Sequence, residues 1–162
     1  MKPYILIFIL ALLTGCFGAT PEKTGLEGKS LPVFNLLLTD STVINTSNIP
    51  AGKPMAFFFF SPYCPHCRAQ TKEITEDMDR LKDIQFYFVS SFPMPDLKAF
   101  SKEFNLKKYP NITIGIDSAN IGAEYFEIMG VPYMAIYGKD KRLNKTFMGK
   151  IYSSQLKKVA EE

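Results

Sequence analysis

The stretch FFFFSPYCPHCRAQ, residues 57–70, determines what kind of domain this chain can form. It begins inside an unbroken apolar run at residues 55–60, which predicts a strand buried on both faces, as in a parallel sheet covered by helices. After the two cysteines, apolar and small residues recur every three or four positions up to residue 81, which predicts an amphipathic helix. The cysteines therefore lie where a buried strand gives way to a helix.

The two cysteines of this junction are expected in different environments. Pro65 is favoured in the first turn of a helix, so Cys64 is expected at the helix N-terminus. Free backbone N–H groups and the positive end of the helix dipole stabilise a thiolate there. Cys67 lies one turn further on the apolar face and is expected to be covered and to stay a thiol. The spacing allows a disulfide and predicts a redox dithiol, with Cys64 as nucleophile and Cys67 as resolving thiol.

His66, the only histidine of the chain, stands between the cysteines. An imidazole beside the thiolate donates a hydrogen bond or, when protonated, supplies a charge, and both effects favour the reduced form. This predicts a more oxidising couple. A solvated histidine without a role in tuning is the alternative.

Two cysteines at this spacing also occur in metal sites, peroxide sites and structural disulfides. A closed zinc site requires four ligands, whereas this chain has one such pair and one histidine, so no metal site is expected. A one-cysteine peroxide site is also not expected, because a second thiol adjoins the nucleophile. The alternatives are a carrier of copper or of the haem pathway that uses the thiols as soft ligands, and a permanent structural disulfide. The redox dithiol requires no dissociable cofactor.

The remaining sequence predicts an α/β domain with a mixed central sheet flanked by helices. Strand-like and helix-like segments alternate along the chain, and a hairpin precedes the first buried strand. The predicted segments are a hairpin at 31–49, strands at 84–92 and 111–117, helices at 95–106 and 118–130, a second hairpin at 133–149 and a helix at 153–162.

The N-terminal residues predict export and attachment to a membrane. The apolar run from Tyr4 to Leu13 has the length of a signal-peptide core and is too short to span a bilayer as a helix. Residues 13–16, Leu-Thr-Gly-Cys, resemble the lipidation motif of bacterial lipoproteins. The resemblance implies a signal peptide at 1–15, a lipidated Cys16 followed by a flexible spacer at 16–28, and a folded domain at 29–162. An ordinary cleaved signal or a weak anchor is the alternative.

Lipidation of Cys16 would leave Cys64 and Cys67 as the only thiols, in an oxidising compartment outside the cytoplasm. The formal charge of +3 is spread over 162 residues without a basic run longer than a lysine pair, so no nucleic-acid partner is expected. The predicted location is therefore the extracytoplasmic, periplasmic side of a bacterial membrane, held by the lipid anchor.

The order strand, C-x-x-C, helix and a much later Val131-Pro132 resembles the thioredoxin fold. The early hairpin makes residues 29–162 most similar to the TlpA/ResA branch of membrane-tethered thiol–disulfide oxidoreductases. The resemblance implies that Pro132 is cis beside Cys64 and that Val131 pairs with an extended substrate. Tyr63 stands where the family usually has tryptophan on the substrate side. The implied partners are protein thiols or disulfides and a redox protein that regenerates the dithiol.

The chain departs from its relatives at the positions where they carry acids. Phe58 replaces the buried aspartate of thioredoxins, and Gln70 replaces the glutamate of ResA-like reductases. Glu73 is a weak substitute and is more typical of a solvated helix glutamate. The dipeptide Pro65-His66 is that of the strongly oxidising DsbA-type proteins. The branch thus favours a reductase and the motif an oxidant, and the direction of electron flow stays open.

Overall fold

A computed structural model describes residues 18–162, which form one mixed sheet of eight strands with five α-helices. The strands are β1 (Pro21–Glu22), β2 (Asn35–Leu38), β3 (Val43–Asn45), β4 (Met55–Phe59), β5 (Gln85–Ser90), β6 (Ile112–Ile116), β7 (Tyr133–Tyr137) and β8 (Leu143–Met148). The helices are α1 (Pro65–Glu76), α2 (Met78–Leu81), α3 (Met94–Glu103), α4 (Ile121–Tyr125) and α5 (Ser153–Ala160). Their order across the sheet is β1-β8-β7-β4-β5-β6-β2-β3.

The strand that precedes the cysteines, β4, lies at the centre of this sheet. It pairs in parallel with β5 and antiparallel with β7, and all five of its residues are buried. Its phenylalanines alternate between the two faces. Phe58 meets Phe88 edge-on at 4.9 Å on one face, and Phe57 stacks on Tyr87 at 4.8 Å on the other. The prediction of a strand buried on both faces is confirmed.

Each face of the sheet carries its own hydrophobic core. Ile74, Leu97 and Leu156, from α1, α3 and α5, cover one face, while Phe34 and Phe126 belong to the core of the other. The hairpin β2–β3 extends the sheet, because β2 pairs antiparallel with β6. The predicted α/β class, mixed sheet and N-terminal hairpin extension are confirmed.

Two predicted helices differ from the observed ones. The helix predicted through residue 81 is interrupted at Asp77, whose φ of −98° and ψ of 19° separate α1 from α2. The helix predicted over 118–130 contains only the five residues of α4. Glu127 adopts a left-handed φ of 51°, and the Ile128 N–H turns back to donate to the Ala123 carbonyl oxygen. A left-handed residue ends a helix, which no apolar periodicity reports.

The flexible spacer predicted for residues 16–28 is wrong over residues 18–28. Strand β1 pairs antiparallel with β8, with Pro21 opposite Phe147. The Ala19 N–H donates to the Lys150 carbonyl oxygen at 3.0 Å, and the Gly28 N–H donates to the Leu143 carbonyl oxygen at 2.8 Å. The small polar residues are typical of a linker, but the edge of β8 offers free backbone groups that they satisfy.

The predicted signal peptide and the lipidation motif at Cys16 lie outside the described residues. Within residues 18–162, no helix combines the length and the apolar character needed to span a bilayer.

Candidate active site

Cys64 lies at the start of α1, just beyond the carboxyl end of β4. Its backbone is extended, with φ of −73° and ψ of 119°, and Pro65 follows as the first helical residue. The Cys64 Sγ accepts a hydrogen bond from the Cys67 N–H at 3.4 Å. The sulfur therefore caps the helix as an acceptor in the position that a serine or aspartate oxygen usually takes, where the helix dipole favours negative charge.

Cys67 is completely buried one turn further along α1, on the side of the sheet that the helices cover. This burial raises the pKa of the Cys67 thiol to about 12, and a hydrogen bond from the Ser61 backbone opposes the shift only in part. Both cysteines are present as thiols, and Cys64 is partly exposed. The pair consequently offers one accessible sulfur and one that water and large reagents do not reach.

The segment before β7 forms a wall beside Cys64. The Val131–Pro132 peptide bond is cis, and the Cys64 thiol donates to the Val131 carbonyl oxygen at 3.6 Å. Val131 is exposed, whereas Pro132 is buried. The Pro132 carbonyl oxygen accepts from the Gly149 N–H at 2.8 Å, which fixes this segment to the end of β8. The structure thus brings together the two cysteines and the distant Val131-Pro132 pair.

Tyr63 and His66 are both exposed side chains next to the cysteines. The Tyr63 ring meets Phe92 edge-on at 5.6 Å, and a hydrogen bond to the Asp96 carboxylate raises the pKa of Tyr63. His66 has no hydrogen-bond partner among the described residues. Across residues 18–162, no three histidine, cysteine or acidic side chains come together in a way that could hold a metal ion.

Gln70 and Glu73 continue the Cys67 face of α1 and hold the loop that follows β8. Gln70 is buried, and its Oε1 accepts from the Ile151 N–H at 2.7 Å. Glu73 Oε1 accepts from the Ser153 N–H at 3.0 Å, at the start of α5, and its Oε2 forms an ion pair with Lys150. The view of Glu73 as a solvated helix glutamate is therefore wrong. In the sequence, this role is indicated only by the spacing of three residues between Gln70 and Glu73, which puts both side chains on one face of α1.

Arg68 fixes the loop on the other side of Cys64. Its Nη1 donates to the Pro62 carbonyl oxygen at 3.1 Å, and its Nη2 forms an ion pair with Glu103. The guanidinium also lies over the Phe104 ring, 5.2 Å from its centroid. The residues between β4 and α1 are thus held by α3, a role that no pattern in the sequence indicates.

A small cavity of about 70 Å³ opens at the carboxyl ends of β4, β5 and β6, next to Val131. Asp117 lines it and is 4% exposed. Its Oδ2 accepts from the Gly122 N–H at 2.7 Å, while its Oδ1 has no partner within residues 18–162. A cavity of this size and polarity can hold water. Sequence reasoning missed this acid because it follows a different strand from the cysteines.

A dithiol at the end of a central strand, capped into a helix and facing a cis-proline, defines the thioredoxin-like fold class. The chain belongs to the AhpC/TSA family, whose family model matches residues 28–147. It is similar to protein disulfide-isomerase 2-3 of Arabidopsis thaliana, with 28% identity over 108 residues, 65% of this chain. The chain spans only 23% of that protein's length.

Solved structures agree with this fold. A secreted Mycobacterium tuberculosis disulfide oxidoreductase homologous to E. coli DsbE matches with a TM-score of 0.65 at 16% identity, over 78% of this chain and 93% of that one. StoA from Bacillus subtilis matches with a TM-score of 0.62 at 20% identity, over 80% of this chain and 97% of that one. At these identities the likeness establishes the fold.

The difference between the two thiols predicts selective alkylation. At pH 7 a thiol with a pKa of about 12 is ionised to only about one part in 100,000, and only the thiolate reacts. In a Cys16→Ser background, which leaves Cys64 and Cys67 as the only thiols, we expect iodoacetamide to add once to the native reduced protein, at Cys64, and a second time only after unfolding. Peptide mass spectrometry measures the site of each adduct. In the same background, native Cys64→Ser should stay unmodified, and rapid native labelling of Cys67 would contradict the assignment.

The contacts of Glu73 predict a stabilising role. Glu73→Ala leaves the Ser153 N–H and Lys150 without their partner, so we expect a loss of about 1–3 kcal/mol in the free energy of unfolding, measured with urea. Glu76→Ala, one turn further along α1, removes only an exposed pair with Lys72 and should change stability by less than about 0.5 kcal/mol. Equal effects of the two substitutions would refute this role.

Proposed function

We propose that this chain is a thiol–disulfide oxidoreductase that exchanges disulfides with protein substrates through Cys64 and Cys67. The observation that carries the proposal is the asymmetry of the pair. Cys64 is partly exposed and caps α1, and Cys67 is buried with its pKa raised. Disulfide exchange requires one sulfur that attacks and a second that is shielded until the mixed disulfide has formed.

In the reductive direction, the Cys64 thiolate attacks one sulfur of a substrate disulfide, and the other substrate sulfur leaves as a thiolate. The Cys67 proton passes to the substrate thiolate released first, and the Cys67 sulfur attacks the Cys64 sulfur, which releases the second substrate thiolate. The substrate gains two electrons, and the chain is left with a Cys64–Cys67 disulfide. The same steps in reverse oxidise a substrate dithiol. A redox partner restores the starting state, and no dissociable cofactor takes part.

The substrate side consists of Val131, Pro132 and Tyr63. Val131 is 37% exposed and Tyr63 is 66% exposed, so apolar surface flanks the accessible sulfur. The backbone of Val131 can pair with an extended substrate segment in the manner of an added strand. Pro132 has no N–H and leaves the approach to Cys64 open. Pro65 fixes the first turn of α1 and thereby the position of the sulfur.

The cellular setting belongs to the same proposal. The hairpin β2–β3 supports a place in the TlpA/ResA branch, and the motif that ends at Cys16 supports a lipid anchor on the extracytoplasmic face of a bacterial membrane. The resemblance to a secreted Mycobacterium tuberculosis disulfide oxidoreductase agrees with this setting. The anchor would keep the domain beside its exchange partners.

The proposal is tested by exchange with glutathione at defined redox ratios, read as the fraction of oxidised dithiol. We expect a two-electron couple with a potential above the roughly −270 mV of thioredoxin, because His66 favours the reduced form. His66→Ala should lower the potential by about 30 mV or more, a tenfold change in the equilibrium constant.

Lys72→Ala is the matched control, since it removes an exposed cationic side chain from the same helix and should leave the potential unchanged. An unchanged potential in His66→Ala would show that the histidine is a bystander. A dithiol that does not exchange with glutathione at any ratio would overturn the proposed function itself.

A further inference from the structure

Five exposed apolar side chains lie at the end of the sheet that carries the dithiol, and we call them the dithiol-end surface. Met129 is 89% exposed and Tyr63 is 66% exposed, and the three others are between 37% and 39%. The members are Tyr63, Met129, Val131, Met148 and Tyr152. They all lie at one end of the sheet, where β4 and β8 end and β7 begins. Large apolar side chains grouped in this way mark an interaction site.

The N-terminal segment enters the fold at this same end. Strand β1 runs antiparallel to β8, so the residues before β1 lie beside the residues that follow β8. The Ala19 N–H donates to the Lys150 carbonyl oxygen at 3.0 Å, and the Gln155 side chain donates to the Ala19 carbonyl oxygen at 2.9 Å. A Cβ placed on Gly149 would lie 3.6 Å from the Ala19 Cβ.

Gly149 connects this segment to the dithiol. Its N–H donates to the Pro132 carbonyl oxygen at 2.8 Å, and the neighbouring Val131 carbonyl oxygen accepts from the Cys64 thiol at 3.6 Å. Gly149, which lies next to Ala19, is thus linked to Cys64 by hydrogen bonds through Pro132 and Val131. The chain therefore reaches the domain beside the dithiol and not at the far end of the sheet.

Cys16 precedes Gly18 by two residues, which can span at most about 7 Å. Ala19 is already hydrogen-bonded to Lys150, and β1 follows it on the edge of β8, so the residues after Gly18 add no length to this tether. We propose that lipidated Cys16 holds the dithiol-end surface against the lipid bilayer. This inference rests on the lipid anchor of the proposed function and adds which face of the domain meets the membrane.

The chemistry of the surface suits a bilayer. Tyrosine is enriched at membrane–water interfaces because its ring is apolar and its hydroxyl stays hydrated, and the dithiol-end surface has two exposed tyrosines. The Lys150 ammonium, which pairs with Glu73, lies 4.7 Å from the centroid of the Tyr152 ring at the edge of this surface. Cys64 then opens toward the headgroup layer. Cysteines of substrates at the bilayer surface can then reach Cys64, whereas the bilayer blocks the approach of bulky soluble proteins.

The absence of tryptophan from the chain allows a direct test with single tryptophan reporters. Tyr63→Trp places a reporter on the dithiol-end surface, and Lys139→Trp places one in the turn after β7, at the opposite end of the sheet. Full-length lipidated protein is bound to vesicles of phosphatidylethanolamine with phosphatidylglycerol as the minor lipid. A nitroxide on the headgroups quenches nearby tryptophan fluorescence. We expect several-fold stronger quenching in Tyr63→Trp than in Lys139→Trp.

Two further variants define the outcomes. A flexible Gly-Ser insert of about 12 residues between positions 17 and 18 spans roughly 20 Å and should bring the quenching of the two reporters close together. Cys16→Ser should release the protein and abolish quenching. Equal quenching in the anchored protein, without the insert, would overturn this inference alone. Failure of the unsubstituted chain to stay on the vesicles would overturn the anchor and this inference together, while glutathione exchange tests the dithiol chemistry separately.

Discussion

The burial of Cys67 is the constraint on which the rest of the site depends. Because its thiol lies among apolar side chains below α1, the first turn of that helix is fixed against the sheet. The Cys67 N–H then points at the Cys64 sulfur, 3.4 Å away. Cys64 is thereby held at the helix tip, where negative charge is favoured and solvent has access. One buried side chain sets the position of both sulfurs.

The same helix also positions the opposite wall of the site. Below Cys67, Gln70 and Glu73 fasten the loop after β8, and in that loop Gly149 holds the carbonyl oxygen of Pro132. Phe58 and Gln70 stand where the resemblance implies acids, and here Gln70 and Glu73 make structural contacts with the loop after β8. Cys64 and the Val131-Pro132 segment are tied to one element, so their separation is well defined.

The parts of this structure that local patterns control were predictable. The apolar run of β4, the change of period after Cys64, the early hairpin and the class of the fold all follow from residues close together in the chain. The cis bond before Pro132 followed only from the resemblance to a family. The pairing of residues 18–28 with β8, the contacts of Glu73 and the buried Asp117 depend on segments far apart in sequence. Local composition holds no information about those contacts, so the spacer was predicted wrongly.

The central claim is that Cys64 attacks and Cys67 resolves, and trapping of the mixed disulfide tests it most directly. Reduced Cys67→Ser is mixed with a peptide disulfide, and the covalent adduct is quantified by mass spectrometry beside Cys64→Ser. Both variants carry Cys16→Ser, so that each keeps one cysteine of the dithiol as its only thiol. The account predicts a stable one-to-one adduct through Cys64 in Cys67→Ser and none in Cys64→Ser. An adduct that forms through Cys67 in Cys64→Ser, or equally in both variants, would contradict it.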